Sequence, residues 1–564
     1  MYNLETLSDI QRDIVLKGSG LFVVRAAAGS GKTYTVAAKI AYLNSSWQKK
    51  GKGIAIISFT NTAWIEIGNT LKKDFGINDL GHPHFVGTID SFLNKYIFLP
   101  FGNLVMGCKG RPKLVGAPHG PWRGGFYKDS FFDKITYSKE GELYFPNPRS
   151  KPDQKVVNGV LARKTVNTKA GFATQSDANY FSLLALKKYP WVAKALVTRF
   201  PYIIVDEAQD TSDIQMEILD LLISAGLKEV MLVGDPDQAI YEWRSSKPEL
   251  FVEKYNQWES RSFILNESRR SSQAICNFAF NLSSLKEIPI AVDEEVKNCA
   301  LQPEIITMEG KSAIHVADEF IQKCIENGIS PTENKVGIIF RSRGFYQEFD
   351  PDYLEDEIRW TDDLDLFEIV LSKFQFEKGL VQKSVHKLAF LYARKLKKTT
   401  DISKEQLHEI MEEFGIAGFR KKILGFLKAL PTLKDSTIKN WCDLAGEMIK
   451  QELDIEVSFK RTCKDLLFDK LIRDDETLTL YKGCRLGTVH QVKGETFDAV
   501  LVLLKAKGIG KSYINLIKDE IPVYQSEELR SVYVALTRPK KLLMLAVPDS
   551  KNAAAWKKAL QHSN

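Results

Sequence analysis

Eight residues, Ala26-Ala27-Ala28-Gly29-Ser30-Gly31-Lys32-Thr33, join the apolar segment Leu21–Val24 to the helix-forming stretch TYTVAAKIAYL. This is a P-loop pattern with alanine at its first position. Its glycines let backbone N–H groups converge on phosphate oxygens, and the helix N-terminus adds positive potential. Lys32 is expected to reach the β- and γ-phosphates, and the Thr33 hydroxyl to ligate Mg²⁺. A second apolar run, Tyr202–Val205, ends in Asp206-Glu207-Ala208-Gln209-Asp210. Asp206, at the end of a strand beside a P-loop, is placed as the Mg²⁺ partner. Glu207 follows it and could polarise an attacking water as a general base. A third apolar run opens VGDPDQAIYEWR, Val233 to Arg244. Gln238 can contact a γ-phosphate there, while Tyr241 and Trp243 can stack on bases. A phosphate sensor and a stacking platform within one loop suit a motor driven by nucleic acid.

Such loops need strands to hold them. Short apolar runs recur at Leu21–Val24, Gly53–Ser58, Tyr202–Val205, Val230–Val233, Val336–Phe340, Ala499–Leu504 and Leu542–Val547. Helical stretches lie between them, which indicates buried parallel sheets. Four runs precede residue 235 and three follow residue 335, so two α/β cores are expected. Residues about 100–150, rich in glycine, proline and aromatics, read as an irregular insertion. Residues about 350–475 alternate charged and apolar residues at helical spacing and read as a mainly helical insertion.

The 564 residues are 44% hydrophobic and 26% charged, which excludes a mostly disordered chain. A net charge of +7 permits a nucleic-acid partner without arguing for one. The seven cysteines are sparse and form no CxxC pair, as expected of a reduced, cytoplasmic protein. No apolar run reaches the roughly twenty residues of a membrane span, and the N-terminus has no leader pattern.

In this order, the motifs resemble those of the UvrD/Rep/PcrA group of superfamily 1 helicases. The resemblance spans nearly the whole chain. LSDIQRDIV is similar to the family's Q motif, implying that Gln11 reads the adenine of ATP. Ala28, Gly29, Ser30, Gly31, Lys32, Thr33 and the following Tyr34 then form the nucleotide cradle. Ser58–Asn61 resembles the TFTN motif, so Phe59 is expected to stack on a base and Thr60 and Asn61 to touch the DNA backbone. Gly87–Phe92 resembles the next DNA-contacting motif, with Thr88 near DNA and Asp90 where histidine is common. The segment LNESRRSS implies that Arg270 meets the γ-phosphate. GTVHQVKGETF places Thr488 and His490 near DNA, and EELRSVYVALTR makes Arg538 a second arginine finger.

The resemblance implies two RecA-like parallel-sheet motor domains. The first holds residues 1–95 and 195–260, with a small irregular 1B insertion at 96–194. The second holds 261–348 and 480–564, with a helical 2B insertion at 349–479. The sequence departs from the family at four further points. Arg269 stands where an aromatic usually stacks on adenine; a guanidinium plane can also stack. Tyr34 replaces an arginine, and either stacks on the nucleotide or packs in the core. Motif V reads Gly-Glu-Thr-Phe, which moves its carboxylate to Glu495. The chain also ends soon after the last motif.

The function implied is an ATP- and Mg²⁺-dependent 3′→5′ helicase or translocase on single-stranded or tailed duplex DNA. The reduced 2B region keeps a second reading open. In it, a DNA-sensing ATPase with weak unwinding licenses a partner nuclease of the OLD family, as in the short UvrD-like helicases of the Gabija antiphage system. His82-Pro83-His84 reads as a turn rather than a metal site, and Ala393–Lys398 as a solvated helix face. Trp122–Tyr127 reads as irregular packing, with a nucleic-acid path as the alternative.

Overall fold

A computed structural model describes residues 4–116, 132, 135–145, 153–240, 246–350, 360–361, 363–398, 402, 404–471, 479–508 and 511–560. Tyr241, Trp243 and Trp122–Tyr127 lie outside the described residues. The chain forms two compact units. One comprises Met1–Lys311, His315–Ser342 and Lys482–Asn564; the other comprises Ser312–Ile314 and Arg343–Tyr481.

The larger unit is built on two sheets. The first runs Phe263–Leu265, Leu21–Ala26, Glu229–Gly234, Tyr202–Val205, Ile54–Ser58, Phe85–Thr88, with every pairing parallel. Its central strands are buried from end to end, as a parallel sheet covered on both faces requires. Parallel pairing puts all the carboxyl ends at one edge, and the register keeps them level. Val24 pairs with Val233, Val205 with Leu232, and Ser58 with Thr88. The P-loop, Asp206, Asp235 and the Phe59–Asn61 turn therefore leave the sheet side by side.

In the second sheet, Glu304–Thr307, Pro539–Val547, Phe497–Leu503, Val336–Phe340 and Cys484–Thr488 pair in parallel in that order. Helix Glu527–Leu536 packs on it, and every residue from Glu528 to Leu536 is buried. All seven expected runs are strands, most of them longer than expected. Four further strands carry weak apolar signals: Phe85–Thr88, Phe263–Leu265, Glu304–Thr307 and Cys484–Thr488. Phe263–Leu265 lies past the expected boundary at 260, yet it pairs with Leu21–Ala26 in the first sheet.

In the region about 100–150, the described residues form short helical turns, Leu99–Phe101 and Asn103–Met106, and two-residue strands. Helices Gln154–Lys169 and Gln175–Lys188 follow. They are tied by a fully buried ion pair, Lys164 Nζ to Asp177 Oδ1 at 2.9 Å. Lys164 also donates to the carbonyls of Phe132 and Ile135.

The smaller unit is helical: Leu364–Glu377, Val381–Leu396, Lys404–Glu413, Ile416–Ala429 and Ile438–Leu453. Its core centres on Trp360, Trp441 and Phe468, whose rings meet edge-on at 4.9 and 5.2 Å. In the run Ala393–Lys398, Arg394 pairs with Asp365 and Glu368, and Lys397 with Glu413.

Removing one member of a buried ion pair strands the other charge. Lys164→Met is expected to cost about 3–5 kcal/mol, seen as a lower urea midpoint. Lys164→Met/Asp177→Asn should recover part of that loss.

Candidate active site

Gly29 and Gly31 have φ of +74° and +80°, a region that side chains other than glycine rarely occupy. Space forbids a side chain as well: a Cβ on Gly29 would lie 2.7 Å from Arg270 Cβ. The loop is anchored from both sides, Ala27 N–H donating to Leu265 O and Arg269 N–H to Gly29 O, each at 2.8 Å. Helix Lys32–Ser46 begins directly at the loop.

Lys32 Nζ lies 3.3 Å from both carboxylate oxygens of Glu207. Burial opposes its charge, but Glu207, Asp235 and Asp206 outweigh that and raise its pKa. Burial, then the neighbouring Glu207 charge, push Asp206 up, and its Oδ1 is buried without a hydrogen-bond partner. Burial opposes ionisation of Glu207 too, but Lys32 and Lys493, with the Gln209 amide, hold it below the usual carboxylate range. The two adjacent acids are thus driven apart, Glu207 staying ionised. Glu207 also sits at φ 54°, an uncommon conformation for a residue other than glycine and one frequent at functional sites.

The second core closes onto these groups. Arg538 Nη2 donates to Gln238 Oε1 at 3.1 Å, and its Nη1 to the Lys493 carbonyl. Gln238 Nε2 donates to Asp235 Oδ2 at 2.6 Å. Lys493 Nζ pairs with the buried Asp210 at 2.9 Å. Arg270 reaches Thr537 O at 3.1 Å; burial pushes its pKa down to about 10, with Glu66 opposing. Lys32, Asp206, Glu207, Gln238, Arg270 and Arg538 thus converge. Asp210, Asp235 and Lys493 join them, although sequence reasoning gave these three no role. Each stands inside a motif already singled out, and only the folded geometry shows that they interact. Glu66 reveals itself only through its charge near Glu207 and Arg270.

Gln11 is fully buried. Its Oε1 accepts from Arg269 Nη2 at 3.2 Å, and its Nε2 has no partner. Ser30 Oγ is likewise buried without one. Together with Asp206 Oδ1 these atoms line a cradle suited to a nucleotide and a cation. Thr33 is half-buried in the first turn of its helix, while Ala28 is half-buried at the loop. Among the described residues no group of three or more His, Cys, Asp or Glu could hold a metal. Tyr34 packs in the core: its ring lies 5.5 Å from Phe75 and its hydroxyl 2.8 Å from Thr6 Oγ1.

Of the expected DNA contacts, those among the described residues stand at the carboxyl edges of the two sheets. Phe59 is half-buried. Thr60 and Thr88 use their hydroxyls as helix caps, accepting from Ala63 and Ser91 N–H at 3.2 and 3.1 Å. Asn61 opens helix Asn61–Phe75. Thr488 is buried and bonded to Gln491. His490 Nε2 lies 3.0 Å from Ile240 O, tying the second core to the turn that carries Gln238. Asp90 accepts from Asn179 and Gln215, and Glu495 faces Arg485 at 3.4 Å. His84 accepts from Ile54 N–H at 3.1 Å.

The fold and site define a protein with a P-loop pattern and two α/β cores that meet over a cluster of charged side chains. Residues 7–102 and 127–259 match the model of the UvrD/REP helicase N-terminal domain. The chain is 23% identical to the ATP-dependent DNA helicase Rep of Buchnera aphidicola (subsp. Acyrthosiphon pisum), over 95% of this chain and 94% of that protein. It is 28% identical to the Gabija protein GajB of Bacillus cereus over 96% of each. It is also 28% identical to the DNA helicase II of Escherichia coli, over 49% of this chain and 40% of that one. The chain is thus similar to UvrD/Rep-type helicases, by the family model over part of its first 259 residues and by Rep over nearly its whole length. Among the described residues no helix is long and apolar enough to cross a membrane.

Lys39 links the Q-motif helix to the P-loop helix, donating to Val15 O and Gly18 O at 2.8 and 2.7 Å. Burial pushes its pKa down to about 8 from 10.5. The unfolded chain therefore binds the extra proton between these values, and the folded state gains stability as pH rises from about 8 to 10.5. Urea unfolding across that window should show wild type gaining on Lys39→Met by up to about 3 kcal/mol.

Proposed function

We propose that this chain is a DNA-stimulated ATPase that moves 3′→5′ along single-stranded DNA and opens tailed duplexes, working in the cytoplasm. The observation that carries this is the convergence of Lys32, Glu207, Gln238 and Arg538 from both cores on one buried cradle. Phosphoryl transfer is catalysed mainly by positioning and charge neutralisation, which such a cradle supplies. In this reading Lys32 neutralises the β- and γ-phosphates. Glu207, kept ionised, orients the attacking water and takes its proton. Gln238 senses the γ-phosphate, while Arg270 and Arg538 stabilise charge developing on it. Gln11 reads the adenine edge, with Arg269 stacked on the base. Mg²⁺, held by Thr33 and Asp206, would neutralise charge on the phosphate oxygens. Phe59, Thr60, Asn61, Thr88, Tyr241, Trp243, Thr488 and His490 line the DNA path. Residues 96–194 and 349–479 act as the 1B and 2B insertions. Closure of the cores on ATP and opening after hydrolysis drive the steps.

A second reading is favoured by GajB, which matches this chain end to end at similar length. In it, the same DNA-sensing turnover licenses a partner nuclease of the OLD family in antiphage defence, and unwinding by the chain alone is weak. A 3′-tailed duplex separates the two. Robust unwinding by the isolated chain favours the first; tight binding to a nuclease with little solo unwinding favours the second.

Arg538→Ala is expected to lower ATP turnover by about 10³-fold or more while nucleotide affinity stays near that of wild type. Lys32→Ala should abolish turnover. Trp243→Ala should leave basal turnover and remove its stimulation by single-stranded DNA. A steady-state ATPase assay with and without single-stranded DNA reads all three, and full stimulation in Trp243→Ala would disprove the stacking role.

A further inference from the structure

The turn that carries Gln238 is gripped from the second core at a point the phosphate chemistry does not use. Asp237 is completely buried and accepts three hydrogen bonds. Ser283 Oγ and Ser284 N–H donate to its Oδ2 at 2.9 and 2.7 Å, and Ser284 Oγ donates to its Oδ1 at 2.6 Å. The two serines follow helix Gln273–Phe280, whose Ile275, Phe278 and Ala279 pack in the core of the second sheet. From the first sheet, Arg25 donates to the same Ser284 hydroxyl, and its guanidinium lies 5.8 Å from the Tyr255 ring centroid. Arg25 stands one residue before the P-loop run begins. Asp237 passes the constraint on, because its N–H donates to Asp235 Oδ1 at 3.1 Å, and the other oxygen of Asp235 holds the Gln238 amide.

We infer that Ser283 and Ser284 are positioning residues that clamp Asp237 and make the Gln238 turn follow the second core. The inference rests on the motor reading and deepens it: it names a mechanical input to the phosphate sensor separate from Arg538. Hydrogen bonds to a buried carboxylate are among the stronger ones. Removing the two hydroxyls leaves one backbone donor for both oxygens, so the turn loosens without loss of any group facing the phosphates.

The test uses the full chain carrying Ser283→Ala/Ser284→Ala, with Ser284→Thr as the conservative control. Basal turnover and KM for ATP are expected within about twofold of wild type, while stimulation by single-stranded DNA falls about tenfold; Ser284→Thr keeps it. Proportional loss of basal and stimulated turnover, or no loss of either, overturns the clamp. Amide hydrogen exchange without DNA gives an independent arm. Protection at Asp237, Gln238 and Ala239 should fall in the alanine pair, while the strand Ile54–Ser58 keeps its own. Unchanged protection at Asp237–Ala239 overturns the clamp whether or not DNA stimulates the enzyme. Wild-type turnover indifferent to DNA overturns the motor reading instead, and exchange then decides the clamp alone.

Discussion

Everything at the junction of the cores depends on a cation buried against an amide. Arg538 is 2% exposed, and burial, with Arg270 adding to it, depresses its pKa. Such a charge is costly unless each donor finds an acceptor. The acceptors here are Gln238 Oε1, the Lys493 and Val534 carbonyls and the Thr537 hydroxyl. Only Gln238 belongs to the first core. One hydrogen bond therefore joins an arginine that needs negative charge to a glutamine whose position Asp235 and Asp237 dictate. Lys32 faces the same requirement from the other side and meets it with Glu207. Three cations around a small acidic set form a site in which a polyphosphate would relieve strain between like charges.

The buried acids are arranged with equal economy. Asp206, Glu207 and Asp235 stand at the ends of neighbouring parallel strands because the register levels those ends. Their mutual repulsion is tolerable only beside Lys32, and it separates their roles. Asp206 is pushed up by burial and by Glu207 and leaves an unpaired oxygen; Glu207 is pulled down by Lys32 and Lys493. A half-buried carboxylate kept ionised is suited to accept a proton from water.

Much of this was legible in the residues. The P-loop, the acid pair after Tyr202–Val205 and the VGDPDQ turn each carry a spacing that physical chemistry constrains tightly. The long apolar strands were equally plain, since Ile54–Ser58 and Val336–Phe340 are buried throughout. Strands such as Phe85–Thr88 and Cys484–Thr488 were not, because they mix polar residues and glycine into four or five positions. Tertiary pairing with a neighbour, rather than local preference, makes them strands. The same limit hides Asp210–Lys493 and Asp237–Ser283. Their partners are 283 and 46 residues apart, and no spacing rule reaches that far.

The departures from the family pattern have a common physical form. Arg269 bonds Gln11. Asp90 gathers Asn179 and Gln215. Glu495 pairs with Arg485, and Tyr34 packs on Phe75. In each case the substituted side chain is held by another part of the same chain. Lys32, Glu207, Gln238 and Arg538 converge, whereas these four side chains are drawn into internal networks. Asp90 is the clearest instance, because Gln215 belongs to the helix that follows the acid pair and also caps its own first turn. A contact there couples the edge strand Phe85–Thr88 to the helix behind Asp206 and Glu207.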